Sequence, residues 1–168
     1  MFSGKTEELI NRIKKSNKSY KVFKPDIDTR NEKDKIKSHS KIEIDATTID
    51  NINEILNYKD EFDVIGIDEA QFFSNDIVSV SNSLANNGVR VIIAGLDMDF
   101  SGKPFGPMPF LMAIAEDVTK VHAKCFETGE PALYSFRKVD NDETVMIGEK
   151  KEYQPLSRKA FISKSKKS

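Results

Sequence analysis

Short unbroken apolar runs alternate along the chain with stretches in which apolar residues recur at helical spacing, the pattern of strands interleaved with helices in a βαβ protein. Thr6 to Asn17 is predicted as a helix with Leu9, Ile10 and Ile13 on one face, and Tyr20 to Phe23 as a short strand ended by Pro25. Asp26 to Ser40 is polar and without period, so it reads as a loop. Ile49, Ile52, Ile55 and Leu56 give Ile49 to Tyr58 a helical period, and Phe62 to Ile67 is a strand of the buried type, ending in Asp68 and Glu69. A second clear helix runs from Asn75 to Asn87 and stops at Gly88, as a left-handed C-cap would. Val89 to Ala94 is the strongest strand, its β-branched residues suited to a parallel sheet covered on both faces. Gly102 to Pro109 must be loop, with a short helix near Leu111 to Ala115. After Val118 to Ala123 the texture changes. Glu127 to Pro131 is a turn cluster, and Leu133 to Val139 with Thr144 to Ile147 looks like a hairpin joined by Asp140 to Asp142, a small β appendage on an α/β body.

Composition narrows the class. A length of 168 residues bounds the chain to one compact unit with a real core, and 38% apolar against 32% charged residues suits a globular protein. No window approaches a membrane span and no basic-then-apolar leader opens the chain, so a cytoplasmic protein without membrane contact is expected. The net charge of −1 argues against a general nucleic-acid coat. The last eleven residues carry Arg158, Lys159, Lys164, Lys166 and Lys167 and no acid, which leaves residues 1–157 with 21 bases against 27 acids. That basic end reads as a solvated, frayed terminus. One cysteine, Cys125, excludes an intrachain disulfide framework and any metal site built from several thiolates.

Candidate chemistry lies at two places. Ser3-Gly4-Lys5-Thr6 running into a helix is the second half of a phosphate-binding loop: backbone N–H groups and the helix N-terminus cradle anionic oxygens, Lys5 reaches the outer phosphates, and Thr6 offers a hydroxyl to Mg²⁺. Such a run also arises by chance. It gains weight from Val64 to Glu69, where an apolar strand delivers Asp68 to the sheet edge at which phosphate loops lie. Adjacent side chains diverge, so if Asp68 faces a metal, Glu69 can face a substrate hydroxyl and act as base. Phe72, Phe73, Phe100 and Phe105 could sandwich a planar base; Phe is more often plain core, and placement in loops after strand-like runs narrows that margin for Phe100 and Phe105.

Taken in order, Met1 to Leu9, Asp28-Thr29-Arg30, Ile67-Asp68-Glu69-Ala70-Gln71-Phe72-Phe73, Gly95-Leu96-Asp97, Lys103-Pro104-Phe105-Gly106, and Ile147-Gly148 with Tyr153 resemble the cytosolic type of thymidine kinase over almost the whole chain. The resemblance implies an α/β fold: a RecA-like P-loop domain with a parallel sheet over residues 1–122, a small zinc-ribbon-like lasso domain over 123–162, and a basic tail over 163–168. It implies transfer of the γ-phosphoryl of ATP to the 5′-hydroxyl of thymidine, in a homotetramer inhibited by dTTP bound in the thymidine site. By the same pattern Ser3, Gly4, Lys5 and Thr6 bind ATP phosphates, Asp68 supports Mg²⁺ with Thr6, and Asp28 and Arg30 lie near the transferring phosphate. Glu69 is the base. Thymidine is held by Met1, Phe72, Leu96, Phe100, Phe105 and Tyr153, with Met146, Ile147 and Gly148 of the lasso supplying backbone hydrogen bonds.

The chain departs from that pattern in two ways. The family's phosphate loop begins with Gly-Pro ahead of the position of Met1, after the first strand of the sheet, so residues upstream of Met1 are expected. The ribbon's two C-x-x-C pairs fall on Cys125, Thr128, Ser157 and Ala160, which supply a single thiolate, so no bound zinc is expected. Glu149 stands where a second lasso glycine is common. Two other classes stay in view: a catalytically impaired nucleotide-binding homologue or truncated gene product, and a RecA-type ATPase acting on nucleic acid, which the lack of a basic body disfavours.

Overall fold

The computed structural model describes residues 2–27, 35–37, 42–138 and 152–166. The chain divides into two compact units, one made of Lys5–Asp97 with Phe105–Val118, the other of Met1–Gly4, Met98–Pro104 and Thr119–Ser168.

In the first unit the chain order is α1 (Lys5–Lys15), β1 (Tyr20–Pro25), β2 (Lys35–Lys37), β3 (Glu43–Asp45), β4 (Thr47–Ile49), a 3₁₀ helix (Ile52–Tyr58), β5 (Val64–Ile67), a 3₁₀ turn (Ala70–Phe72), α2 (Asp76–Asn86), β6 (Arg90–Ile93) and α3 (Met108–Ile114). Four strands form a parallel sheet in the order β4-β1-β5-β6, and β2 pairs with β3 as a separate antiparallel ribbon. All four residues of β5 are buried, as a strand covered on both faces requires. Their side chains alternate. Ile65 and Ile67 join Ile77, Val80 and Leu84 of α2 in one core, while Val64 joins Leu9, Ile10 and Ile13 of α1 in a second. Lys24 of β1 is fully buried, and its Nζ donates to the Lys35 carbonyl at 2.9 Å, tying the sheet to the β2–β3 ribbon.

The second unit contains β7 (Ala123–Lys124), β8 (Pro131–Ala132), β9 (Tyr134–Arg137), β10 (Tyr153–Leu156) and α4 (Arg158–Ser165). Two antiparallel pairs, β7 with β8 and β9 with β10, surround a small core of Ala123, Cys125, Ala132, Leu156 and Ala160.

The helices α1 and α2 and the strands β1, β5 and β6 lie where the apolar periodicity predicts them, and α2 ends at Gly88 with φ +85°. Other segments differ. Lys35–Lys37, inside a predicted loop, is a strand because Ile36 is buried against the core that holds α1. Ile49 closes β4, and the following residues form a 3₁₀ helix instead of an α-helix. The buried Ile52 and Ile55 are three residues apart, which matches the three-residue turn, and the Asn51 side chain caps it by accepting from the Asn53 N–H. The strand opposite β9 is Tyr153–Leu156; the predicted partner Thr144–Ile147 lies outside the described residues. The basic end is no frayed terminus over Arg158–Ser165: Ser157 caps α4, Ala160 is buried, and Phe161 stacks on Tyr134 with centroids 4.3 Å apart. Polar and basic residues dominate α4, and it is anchored through Ala160, the Phe161 ring and the contacts of Lys164 with Glu127 and Gln154, which periodicity does not reveal.

Gly66 shows how closely α1 approaches the sheet. A Cβ there would come within 2.6 Å of Ile13 Cδ1 and 3.3 Å of Val22 Cγ2. Gly66→Val is expected to lower stability by about 1–3 kcal/mol through overpacking, read as a reduced urea midpoint with an unchanged slope.

Candidate active site

Asp68 and Glu69 follow β5 at the carboxyl edge of the parallel sheet, the side on which α/β proteins bind ligands. The strand end is held from both neighbours: the Asp68 N–H donates to Phe23 O at 2.9 Å, and the Ala70 N–H to Ala94 O at 3.0 Å. Both carboxylates are buried, at 3% and 8% exposure. Glu69 takes a left-handed backbone conformation, φ 50° and ψ 42°. A non-glycine residue there costs about 1–3 kcal/mol, and such outliers cluster at functional sites. The turn parts the two side chains, and each finds its own donor.

Asp68 meets the start of α1. Thr6 Oγ1 donates to Asp68 Oδ2 at 3.0 Å, and the Glu69 N–H donates to Oδ1 at 3.0 Å. Burial pushes the Asp68 carboxyl up, the adjacent Glu69 charge pushes it further, and Lys5 and the two hydrogen bonds oppose them, leaving it at about 7. Gly4, φ +81°, directly precedes Lys5, the first residue of α1, so the backbone bend of an anion-binding loop runs into a helix N-terminus. A hydroxyl and a carboxylate in contact are the hard oxygen ligands that suit Mg²⁺, and a cation would relieve the cost of the buried acid.

Glu69 meets Gln71 instead. Gln71 Nε2 donates to Glu69 Oε2 at 2.5 Å, and Gln71 Oε1 accepts the Leu96 N–H at 2.9 Å. Phe72 and Phe105 pack edge to face with centroids 5.7 Å apart, whereas Phe73 is buried in the core with α2.

Within the first unit the fold therefore gathers Lys5, Thr6, Asp68 and Glu69, and brings Leu96 to Gln71 and Phe105 to Phe72. Ser3, Gly4, Phe100 and Tyr153 belong to the second unit. There the Arg137 guanidinium lies 3.6 Å from the Phe100 ring centroid and 5.7 Å from that of Tyr153. Met1, Asp28, Arg30, Met146, Ile147, Gly148 and Glu149 lie outside the described residues. Two residues had no role in the sequence reading, Gln71 and Arg137. Gln71 sits inside the quoted Asp-Glu-Ala-Gln block, and Arg137 is a charge directly after Phe136 in a run of strand character, which is the signal that could have found it.

The ribbon positions converge as well. Cys125 and Ala160 share one core, and burial, which raises the Cys125 thiol, is outweighed by hydrogen bonds from the Thr128 hydroxyl and from the backbone N–H groups of Ser157, Thr128 and Glu127, bringing it to about 6. Thr128 and Ser157 offer hydroxyls and Ala160 nothing, so this donor set does not fit zinc. Among the described residues no group of three or more His, Cys, Asp or Glu is placed to hold a metal, and no helix is long and apolar enough to cross a membrane.

A family model described as thymidine kinase matches residues 1–161. Among similar proteins, a thymidine kinase of Bacteroides thetaiotaomicron is 53% identical over 165 residues, covering 96% of this chain and 83% of the relative. One of Porphyromonas gingivalis is 52% identical over 164 residues, covering 96% and 80%. One of a Rhodothermus species is 45% identical over 164 residues, covering 96% and 77%.

The raised Asp68 carboxyl makes stability pH-dependent with a defined sign. Its folded value of about 7 lies above the ordinary 3.8, so the folded state holds the proton more tightly. The contribution is complete below the ordinary value and is lost as pH rises through about 7. In Mg²⁺-free buffer the melting temperature is expected to fall between pH 5 and pH 8, and Asp68→Asn is expected to remove that fall, a gain at pH 8 of up to roughly 4 kcal/mol.

Proposed function

The chain belongs to the thymidine kinase family, and from that we propose that it transfers the γ-phosphoryl group of ATP to the 5′-hydroxyl of thymidine with Glu69 as general base. The observation that carries the reading is the buried, divergent carboxylate pair, Asp68 on the Thr6 hydroxyl and Glu69 on the Gln71 amide. Two acids set apart by separate partners can take separate tasks.

Ser3, Gly4, Lys5 and Thr6 bind the ATP phosphates, with Lys5 as a cation toward the outer ones. Thr6 and Asp68 would hold Mg²⁺, which when bound neutralises charge on the phosphate oxygens. By the family pattern Asp28 and Arg30 serve the transferring group, Arg30 through its fixed fork of donors. Glu69 accepts the proton of the attacking hydroxyl. Phe72, Leu96 and Phe105, with Met1, Phe100, Met146, Ile147, Gly148 and Tyr153, are assigned to thymidine by the same pattern. The reading includes a cytoplasmic homotetramer, dTTP as feedback inhibitor, and a ribbon segment that works without zinc, since its four positions supply one thiolate.

Purified protein with thymidine, ATP and Mg²⁺ is expected to form thymidine monophosphate and ADP. Glu69→Gln is expected to lower kcat by about 10²- to 10⁴-fold while thymidine still binds. Absence of product, or full turnover by Glu69→Gln, would overturn the assignment. Elemental analysis is expected to find no stoichiometric zinc.

A further inference from the structure

We infer that Gln71 is a positioning residue for phosphoryl transfer, holding one oxygen of the Glu69 carboxylate in place for proton abstraction; the inference rests on the reading of Glu69 as base. Gln71 is 3% exposed, and both ends of its amide are engaged. Its Oε1 accepts from the Leu96 N–H, a group that can only donate, so the opposite end must be the nitrogen that faces Glu69 Oε2. The amide cannot flip without setting two donors against each other. Its surroundings leave little room to move. A Cβ on Gly106, whose φ is +49°, would collide with the Gln71 carbonyl oxygen, and one on Gly95 would stand 3.0 Å from Gln71 Oε1 and 2.5 Å from Met108 Sδ.

The chemistry asks for such a neighbour. In the transfer the O5′–P bond forms, the bond from the γ-phosphorus to the bridging oxygen breaks, its electron pair leaves with ADP, and the hydroxyl proton passes to Glu69. The left-handed turn at Glu69 parts its side chain from that of Asp68, and the contact with Gln71 Nε2 restrains the carboxylate at its far end. A hydrogen bond from a neutral amide fixes one oxygen and leaves further lone pairs of the carboxylate to take the proton.

Gln71→Glu keeps the acceptor for Leu96 and replaces the donor facing Glu69 with a second carboxyl oxygen, so it removes the restraint and adds a repulsion that Gln71→Met does not. Gln71→Glu is expected to lower kcat by roughly 10- to 100-fold and to keep both KM values within about threefold. In a Glu69→Gln background the same change is expected to alter residual turnover by no more than about twofold, since Gln71 acts through the carboxylate already removed. Gln71→Met, read in both backgrounds, gives the same pattern and serves if the glutamate variant does not fold. A kcat unchanged by Gln71→Met, or equal losses in the two backgrounds, would refute the positioning role. Full turnover by Glu69→Gln refutes the base and the inference together; a collapse there beside a parental kcat in Gln71→Glu refutes the inference alone.

Discussion

Two carboxylates on neighbouring residues, both buried at the end of one strand, repel each other in a setting where neither is well hydrated, and much of the first unit answers that problem. The answer is division. The left-handed turn at Glu69 parts the side chains, Thr6 and a backbone N–H serve Asp68, and Gln71 serves Glu69. Each of these partners arrives from a different element: Thr6 from the first turn of α1, Gln71 from the 3₁₀ turn, and the Leu96 N–H that fixes Gln71 from the loop after β6. The sheet order makes this possible, because β5 lies between β1 and β6 and its end is hydrogen-bonded on both sides.

Close approach is the second requirement, and it is met by the absence of side chains. Gly66 lets α1 settle on the sheet near enough for Thr6 to reach Asp68 at the end of the same strand. Gly106 lets the chain after Phe105 lie against the Gln71 backbone, where any Cβ would strike the carbonyl, and its φ of +49° suits glycine. The edge-to-face pair of Phe72 and Phe105 follows from that contact. Short motifs far apart in the chain thus meet at one residue. Their joint presence in the sequence is a stronger sign than any one of them.

How far the sequence discloses this depends on the kind of information each element carries. The helices α1 and α2 and the strands β5 and β6 are written in apolar periodicity, and Gly88 marks the stop of α2, so they are legible. Ile49 to Tyr58 misleads because spacings of three fit a 3₁₀ helix as well as one face of an α-helix, and only the Asn51 cap and the preceding strand decide. The partner of β9 depends on a pairing across sixteen residues, as from Arg137 to Tyr153, and short polar strands carry little register information. At the site, Lys5, Thr6, Asp68 and Glu69 are legible because their chemistry is bound to residue type. Gln71 is not, because an amide acquires a task only from what its two ends face, and that is a fact of folding.

The four positions that the resemblance sets against zinc-ribbon cysteines show the converse, residues that share one neighbourhood without sharing a chemistry. Cys125, Thr128, Ser157 and Ala160 occupy places that in a zinc ribbon would each carry a thiolate. Here each has a separate job: Cys125 accepts hydrogen bonds that draw its thiol down to about 6, Thr128 donates one of them, Ser157 caps α4, and Ala160 fills the small core beside Leu156. A metal would hold such a unit by bonds to four ligands at one point. Among the described residues the unit is held by a cap, a small core and the stacked rings of Tyr134 and Phe161, and α4 links all three, since Ser157 caps it while Ala160 and Phe161 lie on it.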